Sequence, residues 1–433
     1  MYKKIATVCL IAGMVLTGCA GKSGSTTNSS EVASKDGNVR EIHYFSSRSA
    51  SDDTMVTLQE ITDKYNEQGG NIKLVIDSNA DRSSYDQKLR TMIAGGQMPD
   101  MFDLDATPYA SELGEQNMLT DMDAFLEEIG EKDSYIPLAL NYGRTAEGKL
   151  YTLPLELSTE MIWYNVDMFK DAGIEAPKTL DELLEACKVL NEKGYTAFGI
   201  GGGDGWPLLR LLATYPFRLS GNEYLNQLSS GEAKMSDDAG MKAATFMSDI
   251  GKYFQPGFST TDVATGLNLF LSGKSAMYPT GTWELNYFTD KNRPEGLNVD
   301  YFYMPTIKDA KTEANDYWAF GGIGLSVNPK VFDDEYKDYL TFIVKNYSPA
   351  YFVHEHLAPQ KVEMGDNNSF DPLFLKVMED TNNIGSTAAR PWDVVLSEDV
   401  IATINDNLPG LCMGEETPDE FVKAVDEALK ANK

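Results

Sequence analysis

Residue types that commonly do chemistry are present in this chain, but their spacing does not match the usual cofactor motifs. The segment Leu271–Ser275 (LSGKS) ends like a phosphate-binding P-loop, yet the position of the required first glycine holds Asn268. The glycines of segment 199–205 resemble a dinucleotide-binding fingerprint, but its third glycine is replaced by Asp204. We therefore expect no nucleotide and no other cofactor.

Histidines and carboxylates give no recognisable catalytic motif either. His354 and His356 are two positions apart, whereas a helical zinc-binding HExxH motif separates its histidines by four. The chain has only 3 His and no GxSxG sequence, so few residues are present that could form a Ser-His-Asp triad. We expect no metal and no catalysis. A glycosidase stays open as an alternative, because a pair of acids needs only spatial closeness.

Aromatic side chains are abundant, with 5 Trp, 22 Tyr and 19 Phe. Flat rings suit the C–H faces of sugars, while acidic, amide and guanidinium groups suit the hydroxyls. Four tryptophans lie between predicted elements and are candidates for a site, with partial core burial as the alternative: Trp206, Trp283, Trp318 and Trp392. Trp163 lies within a predicted strand, where we expect core packing. The pattern favours a sugar-binding site.

The elements that must position these residues begin as alternating strands and helices. Apolar residues alternate in strands and recur every three to four positions in helices. The predicted order is a strand at 42–45, a helix at 55–65, a strand at 72–76, a helix at 85–93 and a strand at 101–102. Such a β-α-β-α-β order predicts a parallel sheet flanked by helices.

The alternation of strands and helices then pauses and restarts further along the chain. Capping boxes (Thr179 with Glu182, Thr417 with Glu420) predict the starts of two helices. Cys187 lies among leucines at helical spacing, so we expect a buried thiol and leave a bridge to Cys412 open. The other predicted pieces are extended segments at 150–157 and 161–164, strands at 197–200, 299–303 and 323–327, a helix at 263–271, and mainly helices after 335.

The first residues are typical of an export signal. Lys3 and Lys4 precede the short apolar run Ile5–Leu16, which leads into Thr17-Gly18-Cys19. The segment before Cys19 resembles a bacterial lipobox, which implies removal of residues 1–18 and attachment of a diacylglycerol to Cys19. The polar stretch 20–38 then predicts a flexible tether.

Composition limits the partners. Hydrophobic residues make up 42% and charged residues 24% of the 433 residues, which is typical of a soluble globular protein. The formal net charge of −29 repels phosphate backbones, so we expect no nucleic acid partner.

Several segments, in order and spacing, resemble the extracellular solute-binding proteins of ABC importers, in the carbohydrate branch related to maltodextrin-binding protein. They are Gly95–Met101 (GGQMPDM), Gly148–Pro154 (GKLYTLP), Met161–Asn165 (MIWYN), Pro177–Leu183 (PKTLDEL), Phe270–Met277 (FLSGKSAM) and Gly281–Trp283 (GTW). The resemblance implies a type II periplasmic-binding-protein-like α/β fold, with two lobes joined by a multi-crossing hinge. The implied first lobe is 39–157 with 312–357, and the second is 160–308 with 360–433.

The resemblance also implies which residues line the interlobe cleft. Trp283 matches the position of a sugar-stacking ring, and the crossing that contains Glu160 departs from maltodextrin-binding protein, so ligand identity does not transfer. For Asp81 a helix N-cap is an equal alternative. Together with the loop tryptophans, the expected ligand contacts are Tyr44, Arg48, Asp81, Asp105, Glu160, Asp204, Trp206, Trp283, Trp318 and Trp392.

The sequence therefore predicts a monomeric, lipid-anchored protein on the outer face of a bacterial membrane, or in the periplasm of a two-membrane cell. It would capture a neutral sugar or oligosaccharide and pass it to an ABC permease. Alternatives that stay open are a binder of a charged ligand (a polyamine, an amino sugar or an acidic sugar), a lipid-anchored glycosidase, and a surface adhesin or sensor.

Overall fold

The computed structural model of the protein describes residues 39–145, 147–362, 370–384 and 388–431. The predicted signal peptide, Cys19 and the tether lie outside the described residues. Within the described part, no helix combines the length and the apolar character needed to cross a bilayer. Export and lipidation therefore stay predictions.

A four-stranded sheet forms around the first predicted unit. Its elements are β1 (Arg40–Ser46), α1 (Asp53–Glu67), β2 (Ile72–Ser78), α2 (Arg82–Ala94), β3 (Met101–Leu104) and, from much later in the chain, β9 (Gly324–Val327). The strand order is β2-β1-β3-β9, with β1 parallel to β2 and β3, and β9 antiparallel to β3. The predicted strands and helices of this unit are confirmed.

A second sheet forms from the middle of the chain. Its strands are β4 (Ser158–Asn165), β5 (Thr196–Phe198), β6 (Ser275–Gly281), β7 (Val299–Tyr303) and β8 (Ala319–Phe320). The order is β5-β6-β4-β7, and β8 pairs with β4. Only β5 and β6 are parallel, since β4 runs antiparallel to β6, β7 and β8. The carboxyl ends of β5 and β6 thus lie at the same edge as the start of β4.

Helices cover both sheets. They are α3 (Pro108–Glu115), α4 (Met122–Ile129), α5 (Pro137–Tyr142), α6 (Val166–Ala172), α7 (Leu180–Glu192), α8 (Trp206–Ser220), α9 (Glu223–Ser230), α10 (Asp238–Ile250), α11 (Val263–Leu271), α12 (Asp334–Val353), α13 (Pro372–Asn382), α14 (Glu398–Met413) and α15 (Pro418–Ala431). We call the four-stranded sheet with its packed helices the first lobe, and the other sheet with its helices the second lobe.

The predicted capping box of α15 forms, and that of α7 forms in part, because Glu182 accepts from the residue before the N-cap Thr179. Thr179 accepts from the backbone N–H of Glu182 at 3.1 Å, and the Glu182 carboxylate accepts from the N–H of Lys178 at 2.7 Å. Thr417 accepts from the N–H of Glu420 at 3.3 Å, and the Glu420 carboxylate accepts from the N–H of Thr417 at 2.9 Å. The bonds that Thr179 and Thr417 accept satisfy backbone donors that the first helical turn leaves without partners, and they fix where α7 and α15 begin.

The extended segment 150–157 does not become a strand. Leu153 exchanges two backbone hydrogen bonds of 2.8 Å with Leu325 of β9, and Leu150 makes a single bridge elsewhere. The next residue, Pro154, has no N–H to donate, so the ladder cannot continue. The segment therefore leaves the first sheet and leads towards β4.

Each lobe has its own core. Ile42, Leu74 and Leu340 lie in the core of the first lobe, whereas Phe198 and Leu211 lie in the core of the second. Two aromatics of the range 312–357, Trp318 and Phe320, pack with the second core. The predicted lobe boundaries stay predictions.

Both cysteines of the described body are free and buried. Cys187 lies in the second core at 0% exposure, which confirms the expected buried thiol, and Cys412 is 2% exposed. Burial raises the pKa of both thiols. No bridge joins them, so the open alternative is decided in favour of two thiols.

Candidate ligand-binding cleft between the two lobes

The edge of the first sheet carries a buried charge cluster where β1 ends. Arg48 donates to Asp103 at 3.0 Å, to Glu156 at 3.3 Å and to the carbonyl of Ile323 at 2.9 Å. Asp103 is fully buried and also accepts from the hydroxyl of Tyr44 at 2.6 Å. Arg48 is therefore held by two carboxylates, and its side chain is only 9% exposed.

A second arginine is fixed at the same edge, at the start of α2. Arg82 donates to Asp86 at 3.1 Å and to Asp105, which follows β3, at 2.9 Å. Its Nη1 atom is buried and has no hydrogen-bond partner within the described residues. Burial raises the pKa of Asp105, Arg82 opposes that rise, and the nearby Asp393 of the second lobe adds to it. Carboxylates of the two lobes therefore approach each other here.

The facing edge of the second sheet holds a third arginine. Arg210 of α8 donates to Glu160 of β4 at 3.0 Å and to Asp393 at 2.8 Å. Its guanidinium lies over the rings of Trp206 and Trp318, at 5.9 and 5.5 Å from the ring centres. These cation–π contacts add to the two ion pairs in fixing the position of the guanidinium.

The glycine-rich loop after β5 brings Trp206 to the cleft. Gly205 has φ +76°, and a Cβ at this position would meet Asn405 at 2.7 Å, so only glycine fits. The ring of Trp206 lies 5.7 Å from that of Trp283, edge to face. Trp283 in turn packs over Gly281, where a Cβ would meet the indole at 2.1 Å. The loop and this glycine therefore allow two indoles to stand side by side.

Two further rings extend this wall. Phe320 of β8 lies 6.2 Å from Trp283, and Tyr142, at the end of α5, lies 5.1 Å from Phe320. Phe320 is buried, whereas Trp206, Trp283 and Tyr142 are half-buried and keep exposed surface. We call Tyr142, Trp206, Trp283 and Phe320 the aromatic wall.

The phenol of Tyr142 lies near carboxylates of both lobes. Burial raises the pKa of its phenol well above the ordinary value, and Asp105 and Asp393 raise it further. One of these carboxylates follows β3 of the first lobe, and the other follows Trp392 in the second. The phenol therefore stays protonated and keeps a donor among carboxylate acceptors.

The comparisons with known proteins identify the family. The sequence profile of the family described as "Bacterial extracellular solute-binding protein" matches residues 49–330, well over half of the chain. The chain belongs to this family. A related ABC transporter extracellular-binding protein of Pyrococcus horikoshii is 25% identical over 302 residues. That alignment covers 68% of this chain and 66%, just under two thirds, of the relative.

Two other proteins are similar to this solute-binding protein. The "Multiple sugar-binding protein" of Streptococcus mutans is 24% identical over 342 residues, which cover 76% of this chain and 75% of that protein. The solved structure of a "Chitin oligosaccharide binding protein" superimposes with a TM-score of 0.79 at 23% identity, over 90% of this chain and 98% of that one. The predicted two-lobed α/β fold is thereby confirmed.

The structure brings five of the ten predicted contact residues together in this solute-binding protein. Arg48, Asp105, Glu160, Trp206 and Trp283 lie along the two facing edges. Their contacts with a ligand stay a prediction.

Two other predicted carboxylates hold backbone groups. Asp81 accepts from the N–H of Ser84 at 2.7 Å, so it is the N-cap of α2, as the alternative interpretation held. Asp204 accepts from the N–H of Val263 at 2.7 Å. Burial raises the pKa of Asp204, and the charge of Asp81 adds to this rise, so the two carboxylates interact across the lobes.

The other three predicted residues are buried in the cores. Exposure is 0% for Tyr44, 2% for Trp318 and 3% for Trp392. Tyr44 and Trp318 support the site through their contacts with Asp103 and Arg210. Trp163 is fully buried, which confirms the expected core packing.

Sequence reasoning missed five residues of the cleft: Arg82, Tyr142, Arg210, Phe320 and Asp393. Arg82 and Asp393 directly follow the chosen residues Asp81 and Trp392, which is the one signal that pointed to them. Arg210 lies within a helix whose face the sequence does not reveal. Within the described residues, no group of three or more His, Cys, Asp and Glu could hold a metal ion.

Side chains also join the lobes outside the cleft. Arg90 of α2 pairs with Glu398 of α14, and its guanidinium lies 3.7 Å from the ring centre of Tyr109. On α1, Asp53 accepts from Asn286 at 3.3 Å, and it contacts His356 at 2.7 Å. The hydrogen bond to His356 is the main reason why the pKa of Asp53 is lowered.

Proposed function

We propose that this solute-binding protein captures a sugar or an oligosaccharide between its lobes and delivers it unchanged to the permease of an ABC importer. The observation that carries the proposal is the aromatic wall, which lies beside guanidinium and carboxylate groups in fixed positions. Half-buried rings offer flat apolar surface to a sugar ring. The charged groups offer donors and acceptors to its hydroxyls.

The names of two similar proteins support a sugar as the ligand. The Streptococcus mutans relative is named for binding multiple sugars, and the structural neighbour is named for binding chitin oligosaccharides. We further propose that the protein acts as a monomer, that Cys19 carries the lipid anchor outside the cell membrane, and that no bond of the ligand is broken.

The proposal is tested by titrating the protein with a panel of mono- to hexasaccharides. A Cys19→Ser variant removes the lipid and allows calorimetry together with tryptophan fluorescence. We expect saturable binding of at least one glycan, with a fluorescence change because Trp206 and Trp283 lie in the cleft. Chromatography of the recovered glycan should show it unshortened.

The matched test of the aromatic wall compares two variants on the same 3-10 helix, Thr282–Phe288. Trp283→Ala should weaken glycan binding by about tenfold to a hundredfold, which is about 1.4–2.8 kcal/mol. Tyr287→Ala should leave it unchanged, because Tyr287 is 47% exposed and has no place in the wall. The proposal fails if no glycan binds, or if both variants bind as the parent does.

A further inference from the structure

The three arginines of the cleft are each held by two carboxylates. The pairs are Arg48 with Asp103 and Glu156, Arg82 with Asp86 and Asp105, and Arg210 with Glu160 and Asp393. All six N–O distances lie between 2.8 and 3.3 Å. Each cluster therefore has one more carboxyl group than guanidinium groups, and its guanidinium is already ion-paired with both of them.

Carboxylates of one lobe also raise the pKa of carboxylates of the other lobe. Asp393, held by Arg210, acts on Asp105, held by Arg82, on either side of Tyr142. Asp81 acts in the same way on Asp204. Neither Asp81 nor Asp204 makes an ion pair within the described part of the chain. The lobes therefore bring negative groups towards one another.

One cation of the cleft is not matched in this way. The side chain of Arg390 is exposed and forms no ion pair with a described residue. Partial burial lowers the pKa of Arg390, and the nearby phenol of Tyr142 opposes this. Its backbone N–H donates to Asn222 at 2.9 Å, which fixes the main chain only. An anionic ligand group could pair with the guanidinium of Arg390, but the more numerous carboxylates would repel it.

We infer that the cleft discriminates by charge, so that it accepts neutral or basic sugars and rejects the acidic counterpart of the same sugar. The inference rests on the proposed function, since it names the ligand class of the same site. It also decides between the charged ligands that the sequence left open.

The physical reason is desolvation. A ligand carboxylate that enters the cleft loses water, and burying it is unfavourable unless a paired cation replaces that water. The forks of Arg48, Arg82 and Arg210 are already bonded to carboxylates. A hydroxyl has no such requirement, because it is neutral and can donate to a carboxylate. The ammonium group of an amino sugar could donate hydrogen bonds to the carboxylates of the cleft.

The experiment compares sugars that differ only in charge. The probes are glucose, glucosamine and glucuronic acid, the corresponding galactose set, and the amino and uronic derivatives of whichever neutral glycan binds tightest in the panel. Calorimetry at constant pH and ionic strength gives the three affinities. We expect the uronic member to bind at least about tenfold more weakly than the neutral one, which is about 1.4 kcal/mol.

A charge-neutralising variant isolates the cause. Asp393→Asn keeps the side-chain shape and an acceptor for Arg210, and it should narrow the gap between uronic and neutral sugar. Asp181→Asn makes the same change on the exposed face of α7 and should leave the gap as it is. Melting temperatures show whether both variants fold. In the parent protein, high salt should also reduce the difference in affinity between the uronic and the neutral sugar, because salt screens charge.

The outcomes are separable. If no neutral, amino or uronic sugar binds, the proposed function is wrong and the inference falls with it. A second outcome is that neutral sugars bind, and that the affinity for the uronic member is less than tenfold lower than, equal to or higher than that for its neutral counterpart. The proposed function then stands, and the charge discrimination is wrong. In that case, loss of uronic binding in Arg390→Gln would identify the guanidinium that recognises the acid.

Discussion

The first-lobe edge of the cleft is built from charges held in place, whereas the second-lobe edge is built largely from rings. At the first edge, Arg48 and Arg82 are each bonded to two carboxylates, and Asp103 has no exposed surface. At the second edge, Trp206 and Trp283 keep exposed surface and touch each other edge to face. The first edge is therefore fixed by hydrogen bonds, whereas the second combines the hydrogen bonds of Arg210 with the packing of rings.

Because of this difference, we expect the charged edge to set the orientation of a bound sugar and the aromatic edge to supply most of the contact area. Buried, fully bonded charges cannot turn without losing partners, so they present donors and acceptors in a fixed pattern. Rings bury a large area with few directional demands, so they accept different sugars in related positions. We expect substitutions at the charged edge to affect folding first, and substitutions in the aromatic wall to affect binding first.

The largest effect should come from the charged edge. Asp103→Asn removes the charge that Arg48, Tyr44 and the Ser47 N–H share. Because Glu156 still compensates Arg48 in part, we expect a loss of about 2–4 kcal/mol in the free energy of unfolding. Urea unfolding followed by circular dichroism measures it.

The control for this prediction is a partly exposed carboxylate in an otherwise similar pair. Asp86 binds Arg82 at 3.1 Å with a side chain that is 43% exposed. Asp86→Asn should therefore change stability by less than about 1 kcal/mol. Equal losses in the two variants would contradict the idea that burial fixes the charged edge.

An intermediate effect on stability should come from Glu284, which follows the wall residue Trp283 in the sequence. Burial raises its pKa from 4.5 to about 7, although the hydroxyls of Thr280 and Tyr278 oppose the rise. The folded protein therefore favours the protonated form. The stability that this proton gives is fully present below pH 4.5 and is lost as the pH rises towards 7.

Glu284→Gln mimics the protonated form and should remove this dependence. Relative to the parent, the variant should gain nothing in acid and about 1–3 kcal/mol of stability above neutral pH. Urea midpoints measured across the pH range test it. Glu295→Gln, on the exposed surface, should follow the parent at every pH, and a constant offset for Glu284→Gln would show that its proton is not linked to folding.

Much of the fold was predictable because local signals agree with the tertiary structure. Alternating Ile72, Leu74 and Ile76 form β2 as predicted, and Thr179 begins α7 through its capping box. The segment 150–157, predicted only as extended, makes isolated bridges and no strand, since Pro154 ends the pairing with β9. Local pattern decides an element, but pairing partners from distant segments decide its length.

The cleft was predictable only in part, because it is assembled from segments that are far apart in sequence. Trp283 and Trp206 have local signals, namely the glycines that precede them. Arg210 and Asp393 are 183 positions apart and meet only in the folded chain. Trp392 lies in a segment that looks like a loop, yet it packs in the second core. Sequence shows which residues leave an element but not which way a side chain turns.

The smallest effect should come from the Arg90–Glu398 ion pair, which joins the two lobes outside the cleft. Both side chains are partly exposed, at 38% and 66%, so the pair is screened by solvent. Because the pair forms only when α2 and α14 approach, it favours the lobe arrangement described here. Glu398→Gln should speed ligand release by up to about fivefold at low salt, which corresponds to about 1 kcal/mol.

A double-mutant cycle distinguishes this contact from effects on either side chain alone. Arg90→Gln also removes the cation above Tyr109, so it should weaken binding slightly more than Glu398→Gln does. The double variant should be no worse than Arg90→Gln, because the pair is already broken. Stopped-flow fluorescence at low and high salt measures the release rates. Additive effects of the two substitutions, or an effect that persists at high salt, would show that the pair does not hold the lobes together.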